Sequence, residues 1–228
     1  MSLFTKNDPT PVTASVLEAT LARLALFPAF PFYFTEATRP AGTASFWYSA
    51  GGPYTSDVNS AFVPSVGRLS LFPFFSGPGG IVDRIMMNVT VSGGAGSQLR
   101  FGIYGDNGYY PGALLFDGGD TDSNVVSTKV ITVTPNVRLE SNTLYWFGYI
   151  CGTGAPTLTS VGGTTGNTGL YSLFGVTDPT GGAGVWGWMN VRGYGALPNP
   201  FPTGQAQRGV QSTGDGFPMI AVRFASTL

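Results

Sequence analysis

Apolar and polar residues alternate along much of this chain, and the alternation is clearest from Ile81 to Cys151. Between Val82 and Val91, the residues Ile85, Met87, Val89 and Val91 share one side, and Arg84, Met86, Asn88 and Thr90 the other. A period of two is that of a β-strand buried on one face. Leu99, Phe101 and Ile103 repeat it. The run LYWFGYIC, ending at Cys151, is apolar on both faces, which predicts a central strand of a β-sandwich. Gly105-Asp-Asn-Gly108 supplies residues that tolerate positive φ, so the chain is expected to reverse there, with Asp106 and Asn107 as turn formers.

The same reading extends to both sides. Phe46-Trp47-Tyr48 predicts a short aromatic strand, and residues 54–67 a loop. Arg68 to Phe75 predicts a strand that Pro73 makes an edge or bulged one. Residues 92–97 and 117–128 read as loops. Lys129 to Thr134 reads as a strand that Pro135 ends. Residues 152–216 are rich in Gly, Pro and Thr but carry aromatics, which predicts ordered loops with a short hairpin near 184–191. Phe217 to Ala225 closes the domain, with Ile220, Val222 and Phe224 facing inward. The expected class is all-β.

The first 43 residues differ. Leu17, Leu21 and Leu24 recur at helical spacing, predicting a helix over about 13–26 that needs a partner surface. Pro28 ends it. Phe27, Phe30, Phe32, Tyr33 and Phe34 follow in a proline-broken segment, 27–34, and then a linker. An apolar segment of this kind has to be covered. The expectation is an anchoring arm over 1–43 and a β-sandwich domain over 44–228.

Composition sharpens this picture. Of 228 residues only 10% are charged while 14% are aromatic. A typical globular chain has about 25% charged residues. Charge depletion with aromatic enrichment is a property of subunit interfaces, so an oligomer is expected. The net charge is −1 with no basic run, which offers nothing to nucleic acid. Histidine is absent, so the commonest general base and the commonest zinc ligand are missing. The single cysteine, Cys151, makes no intrachain disulfide and reads as a small core residue. No run of about 20 apolar residues spans a membrane. The start of the chain lacks the basic segment and apolar core of a signal peptide, which predicts folding in the cytoplasm where it is made.

The segment order FWYSAGG, GRLSLFPFF, IVDRIMMNVT, LRFGIYGDNGYYPGALLFDGG, VITVTPNVRLESNTLYWFGYI and PMIAVRFAS resembles a domain family of tailed-bacteriophage virion surface proteins, of tail-fibre and head-fibre type. The run FGIYGDNGYYPGALL, residues 101–115, is its most specific part. The resemblance covers about 44–228 and is weakest over 152–216. It implies a jelly-roll β-sandwich assembled as a homotrimer, a virion structural role and often host attachment. It supplies no catalytic motif. Expected partners are further copies, other phage virion proteins (tail, portal-proximal or major capsid protein) and a host surface glycan. The alternative role is a capsid decoration, or cement, protein. No cofactor, nucleic acid or membrane insertion is expected.

Two sets of residues are candidate sites. Asp117, Asp120 and Asp122 lie in a glycine loop whose oxygens have some of the spacing of a Ca²⁺ loop, without its bidentate Glu. A solvated acidic loop is the simpler reading. Tyr109, Tyr110, Trp186, Trp188 and Tyr194 are aromatics in loops, suited to stacking on sugar rings or to burial between subunits. The three glutamates, Glu18, Glu36 and Glu140, stand apart, and no acid/base pair is visible. The chain is not expected to be an enzyme.

Overall fold

The computed structural model describes residues 47–49, 60–76, 79–161, 185–209 and 217–226. The expected arm over 1–43, including Leu17, Leu21, Leu24, Phe27, Phe30, Phe32, Tyr33 and Phe34, lies outside them. The described residues are all-β, with no helix among them. In chain order the strands are β1 (Trp47–Ser49), β2 (Ser60–Phe62), β3 (Arg68–Phe75), β4 (Gly80–Val91), β5 (Gln98–Asp106), β6 (Pro111–Asp117) and β7 (Thr121–Asp122). They continue as β8 (Ser127–Leu139), β9 (Leu144–Cys151), β10 (Thr157–Val161), β11 (Val185–Val191), β12 (Ala206–Gly209), β13 (Phe217–Pro218) and β14 (Ile220–Ser226).

These strands form two antiparallel sheets, a β-sandwich. In one, β4 is central. Met86 pairs with Val130 of β8 on one side and with Ala221 of β14 on the other. β1 lies outside β14, and β10 continues along β4 at Val89 and Val91. In the other sheet the order is β12-β11-β3-β9-β5-β6, with β7 also on β5. All eight residues of β9 are buried, as its two-faced apolarity requires.

The core lies between the sheets. Ile85, Met87 and Val89 of β4 meet Leu99, Phe101 and Ile103 of β5, together with Ile220, Val222 and Phe224 of β14. Phe74 stacks on Phe147 at 4.4 Å between ring centroids. Cys151 is fully buried, and burial pushes its thiol up to about 11.

Several elements depart from the sequence expectation. β8 does not stop at Pro135 but runs through it, across a cis Thr134–Pro135 bond. The register between β4 and β8 jumps from Val82↔Val137 to Arg84↔Thr132, so Asp83 alone faces residues 133–136. This wide bulge takes up the proline, which has no amide to give to a ladder. It also explains why Val82 and Ile85, three residues apart, are both buried. Val91 is exposed rather than inward, because it stands at the end of its strand. Near 184–191 the chain forms one strand, β11, between β3 and β12, and its partner β12 arrives only after residues 192–205. β11 overlaps β3 at Arg68–Leu71, and Pro73 lies beyond that overlap. The loops expected over 54–67 and 117–128 each contain a short strand, β2 and β7.

The outer face of the β9 sheet carries a second apolar cluster. Gly102 and Gly148 face each other in register and leave a trough. A Cβ on Gly102 would stand 2.3 Å from Leu197 Cδ1 and 2.8 Å from the Phe116 carbonyl oxygen. Leu197 and Phe201, from the loop after β11, fill this face beside Tyr104, Trp146 and Leu71. The loop is pinned by polar bonds. Tyr104 Oη donates to Pro198 O at 3.0 Å, Phe201 N to Gly112 O at 3.0 Å, and Leu114 N to Asn199 Oδ1 at 3.0 Å.

The two ends of the sandwich differ. At one end the connections are short: residues 76–79, 107–110 and 140–143. At the other end β9 finishes, and the connection that leaves it does not stay there: its loop of residues 192–205 reaches back to Tyr110 and Gly112 beside the short turn 107–110. β1 is antiparallel to β14, which is antiparallel to β4, so β1 runs from the short-turn end toward the other end.

Candidate functional site

The turn between β5 and β6 carries an exposed aromatic residue in a left-handed backbone conformation. Asp106 ends β5, and Asn107 N donates to Tyr110 O at 2.7 Å, closing a tight reversal. Gly108 has φ 65° and suits it. Tyr109 follows at φ 64°, a left-handed position that a bulky side chain rarely takes. Such a conformation costs about 1–3 kcal/mol and persists only where its surroundings enforce it. The enforcement is visible. Tyr109 N donates to Asp106 Oδ2 at 3.2 Å, and Tyr109 O accepts from Trp188 Nε1 at 3.1 Å. Asp106 is itself held, since Oδ1 accepts from the indole Nε1 of buried Trp146 at 2.9 Å. The result is a tyrosine ring 62% exposed on a fixed backbone.

Its neighbour Tyr110 has the opposite fate. The Tyr110 ring meets Trp188 edge-on at 4.5 Å and lies 5.6 Å from Phe201. Its hydroxyl donates to Pro202 O at 2.6 Å and accepts from Gln205 N at 3.2 Å. Tyr110 and Trp188 therefore support the second apolar cluster within the same chain. Trp186 is in β11, and its side chain lies outside the described residues.

The acidic loop is organised by Arg100 of β5. Arg100 Nε and Nη2 bind Asp117 Oδ1 and Oδ2 at 2.6 and 2.9 Å, and Nη1 binds Asp120 Oδ1 at 3.0 Å. Asp117 also accepts from Gly119 N and Leu197 N, both at 3.1 Å. Burial pushes the Asp117 carboxyl up, but the bonds from Arg100 and these two amides outweigh it and hold the group below its ordinary value. Tyr194 Oη donates to Asp120 Oδ1 at 3.0 Å. Burial, reinforced by that carboxylate, raises the Tyr194 hydroxyl above its ordinary range. Asp122 is exposed and accepts from Asn124 N at 2.8 Å. Among the described residues no group of three or more His, Cys, Asp or Glu stands together to hold a metal ion.

The structure thus separates four of the five candidate aromatics, and it puts Trp188, like Trp186, on strand β11 rather than in a loop. Tyr109, Tyr110 and Trp188 come together at the β5–β6 turn, while Tyr194 sits with Asp120 and Arg100. Sequence reasoning missed Arg100 and Trp146 as organisers. A signal for the first was present: a hairpin centred on the DNG turn brings Arg100 to the level of the DGGD segment. Trp146 lay inside an apolar run, where nothing marks its indole as the partner of Asp106. On the β4 sheet, Asp83 takes Arg223 through two bonds, with Nε to Oδ1 at 2.9 Å, and Arg84 lies 3.6 Å from it. The Arg223 hydrogen bonds lower the Asp83 carboxyl.

Comparison with family models, with curated proteins and with solved structures finds no match.

Proposed function

We propose that this chain is a jelly-roll surface protein of a tailed-phage particle, a homotrimeric fibre or receptor-binding head held by its N-terminal arm. The observation that carries the reading is the strand order. Taken alone, β1, β3, β4, β5, β6, β8, β9 and β14 lie as β1-β14-β4-β8 in one sheet and β3-β9-β5-β6 in the other. Two nested Greek keys of eight strands have this order, and virion jelly rolls are built on it. Residues 152–219 are then an insertion before the last strand, which accounts for the weak resemblance there. The motif FGIYGDNGYYPGALL falls on β5, the Tyr109 turn and β6.

The bonds of Asp117, Asp120 and Asp83 to arginines favour structural roles for these carboxylates and a binding protein over an enzyme.

One observation favours capsid decoration as a second reading: only residues 35–43 separate the aromatic segment of the arm from the sandwich domain, with no shaft sequence between them. Purified full-length protein tests the choice. As a receptor-binding head it binds host cells and competes with adsorption of the phage. Particles that lack it, adsorb normally and lose DNA on heating indicate cementing. A stable monomer at micromolar concentration in sedimentation overturns the trimer.

A further inference from the structure

We infer that the β5–β6 turn is a saccharide-contact site, in which the Tyr109 ring takes the C–H face of a neutral pyranose and Asn107 and Asp106 meet its hydroxyls. This rests on the reading of the chain as a binding protein and deepens it by naming what is bound.

Three observations lead there. First, Tyr109 stands at φ 64° with its ring exposed, where glycine or asparagine would sit without strain. Nothing in the turn itself needs an aromatic, because the neighbouring Tyr110 supplies the packing on Trp188 and Phe201. Second, the backbone of Tyr109 is clamped at both its N–H and its C=O, by Asp106 and Trp188, so the direction in which the side chain leaves the turn is fixed. A contact that has less backbone freedom to lose on binding binds more tightly for the same area. Third, the ring's neighbours in the turn are Asp106, Asn107 and Gly108, all exposed. Protein hot spots lie inside a water-excluding apolar surround. A lone aromatic face flanked by a carboxylate and an amide suits a sugar better, since a sugar offers an apolar C–H face rimmed by hydroxyls. The Asp106 oxygens each keep a second lone pair for a hydroxyl donor, and the Asn107 amide can both donate and accept. The carboxylate beside the ring disfavours uronic and sialic acids. In a trimer, three such turns would raise a weak single contact by avidity.

Saturation-transfer NMR on the full chain tests this, using methyl glycosides of galactose, glucose, mannose and N-acetylglucosamine, with methyl glucuronide as the anionic comparator. Transfer is expected to the C–H protons of one face of at least one neutral glycoside and to be weaker for the glucuronide. Tyr109→Gly is the decisive variant, because it removes the ring and relieves the backbone. It is expected to melt a few degrees above wild type yet lose at least about tenfold in binding. Tyr109→Phe should keep most of the binding, and Asn107→Ala should lose several-fold. Equal glycoside binding by wild type and Tyr109→Gly overturns the inference, as does a wild type that binds none of the probes. If Tyr109→Gly instead dissociates an oligomer, the ring is a protein contact and the saccharide site is wrong. Host-cell binding that persists unchanged in Tyr109→Gly overturns this site alone. Loss of host-cell binding by the wild type itself removes the receptor-binding reading beneath it.

Discussion

Arg100 grips Asp117 through two parallel hydrogen bonds, at 2.6 and 2.9 Å, and so ties the start of β5 to the last residue of β6. The pair is more than a clip between neighbours, because the same carboxylate accepts the amide of Leu197 from the loop that covers the sheet. One side chain therefore fixes a hairpin and the loop above it.

Replacing Asp117 by Asn should cost about 1–3 kcal/mol, since charge-assisted bonds to a partly buried group are lost. The effect should depend on pH in a definite direction. Against the opposing effect of burial, the bonds from Arg100 and two backbone amides hold the Asp117 carboxyl below its ordinary value in the folded protein. Its contribution is therefore fully present above the unfolded value and is lost as pH falls through the folded one. Urea midpoints for wild type and Asp117→Asn should differ most near neutral pH and converge only as the pH falls below the ordinary carboxylate range. A difference that grows on acidification would contradict the assignment.

Asp106 serves two donors, the Tyr109 amide and the Trp146 indole. Asp106→Ala takes that acceptor from a buried indole and should destabilise by about 1–3 kcal/mol. Asp106→Asn keeps one acceptor oxygen and should cost less. Exchange of the Trp146 indole proton, followed by NMR, should accelerate in the alanine variant more than in the asparagine one.

Gly102 has no room for a methyl group. A Cβ there would stand 2.3 Å from Leu197 and 2.8 Å from the Phe116 carbonyl. Gly102→Ala should cost about 1–3 kcal/mol as overpacking, and part of it should return in the double variant with Leu197→Ala. Additive losses in a chemical-unfolding cycle would mean that Leu197 does not bear on this position.

Cys151 is fully buried, and its thiol is pushed up to about 11. It should resist a thiol-directed disulfide reagent at about pH 8 in the native protein and react fully once urea unfolds the chain. Rapid labelling under native conditions would place it outside the core.

The strands with a strong local period were legible in the sequence. Ile85, Met87 and Val89 face the core as their alternation required, and the unbroken apolarity of LYWFGYIC marked the buried strand β9. What escaped was non-local. Pro135 looked like a terminus because the bulge that accommodates it depends on the partner Asp83, some fifty residues earlier. β11 looked like half of a hairpin because its true neighbours, β3 and β12, are fixed by long-range pairing. At the candidate site, the turn itself was readable from Gly105-Asp-Asn-Gly108. The division of labour between Tyr109 and Tyr110 was not. Two adjacent tyrosines are equivalent in sequence, and only the arrival of Trp188 and Phe201 makes one a core residue and leaves the other in water.

The loop of residues 192–205 also decides which wall of the sandwich is covered among the described residues. With Leu197 and Phe201 seated over β5 and β9, that wall is already occupied by its own chain, and another copy would have to displace them to reach it. Among the described residues the opposite wall exposes Thr128, Val130 and Thr132 along β8, so that wall, and not the one under Leu197 and Phe201, is what the sandwich offers to a neighbour.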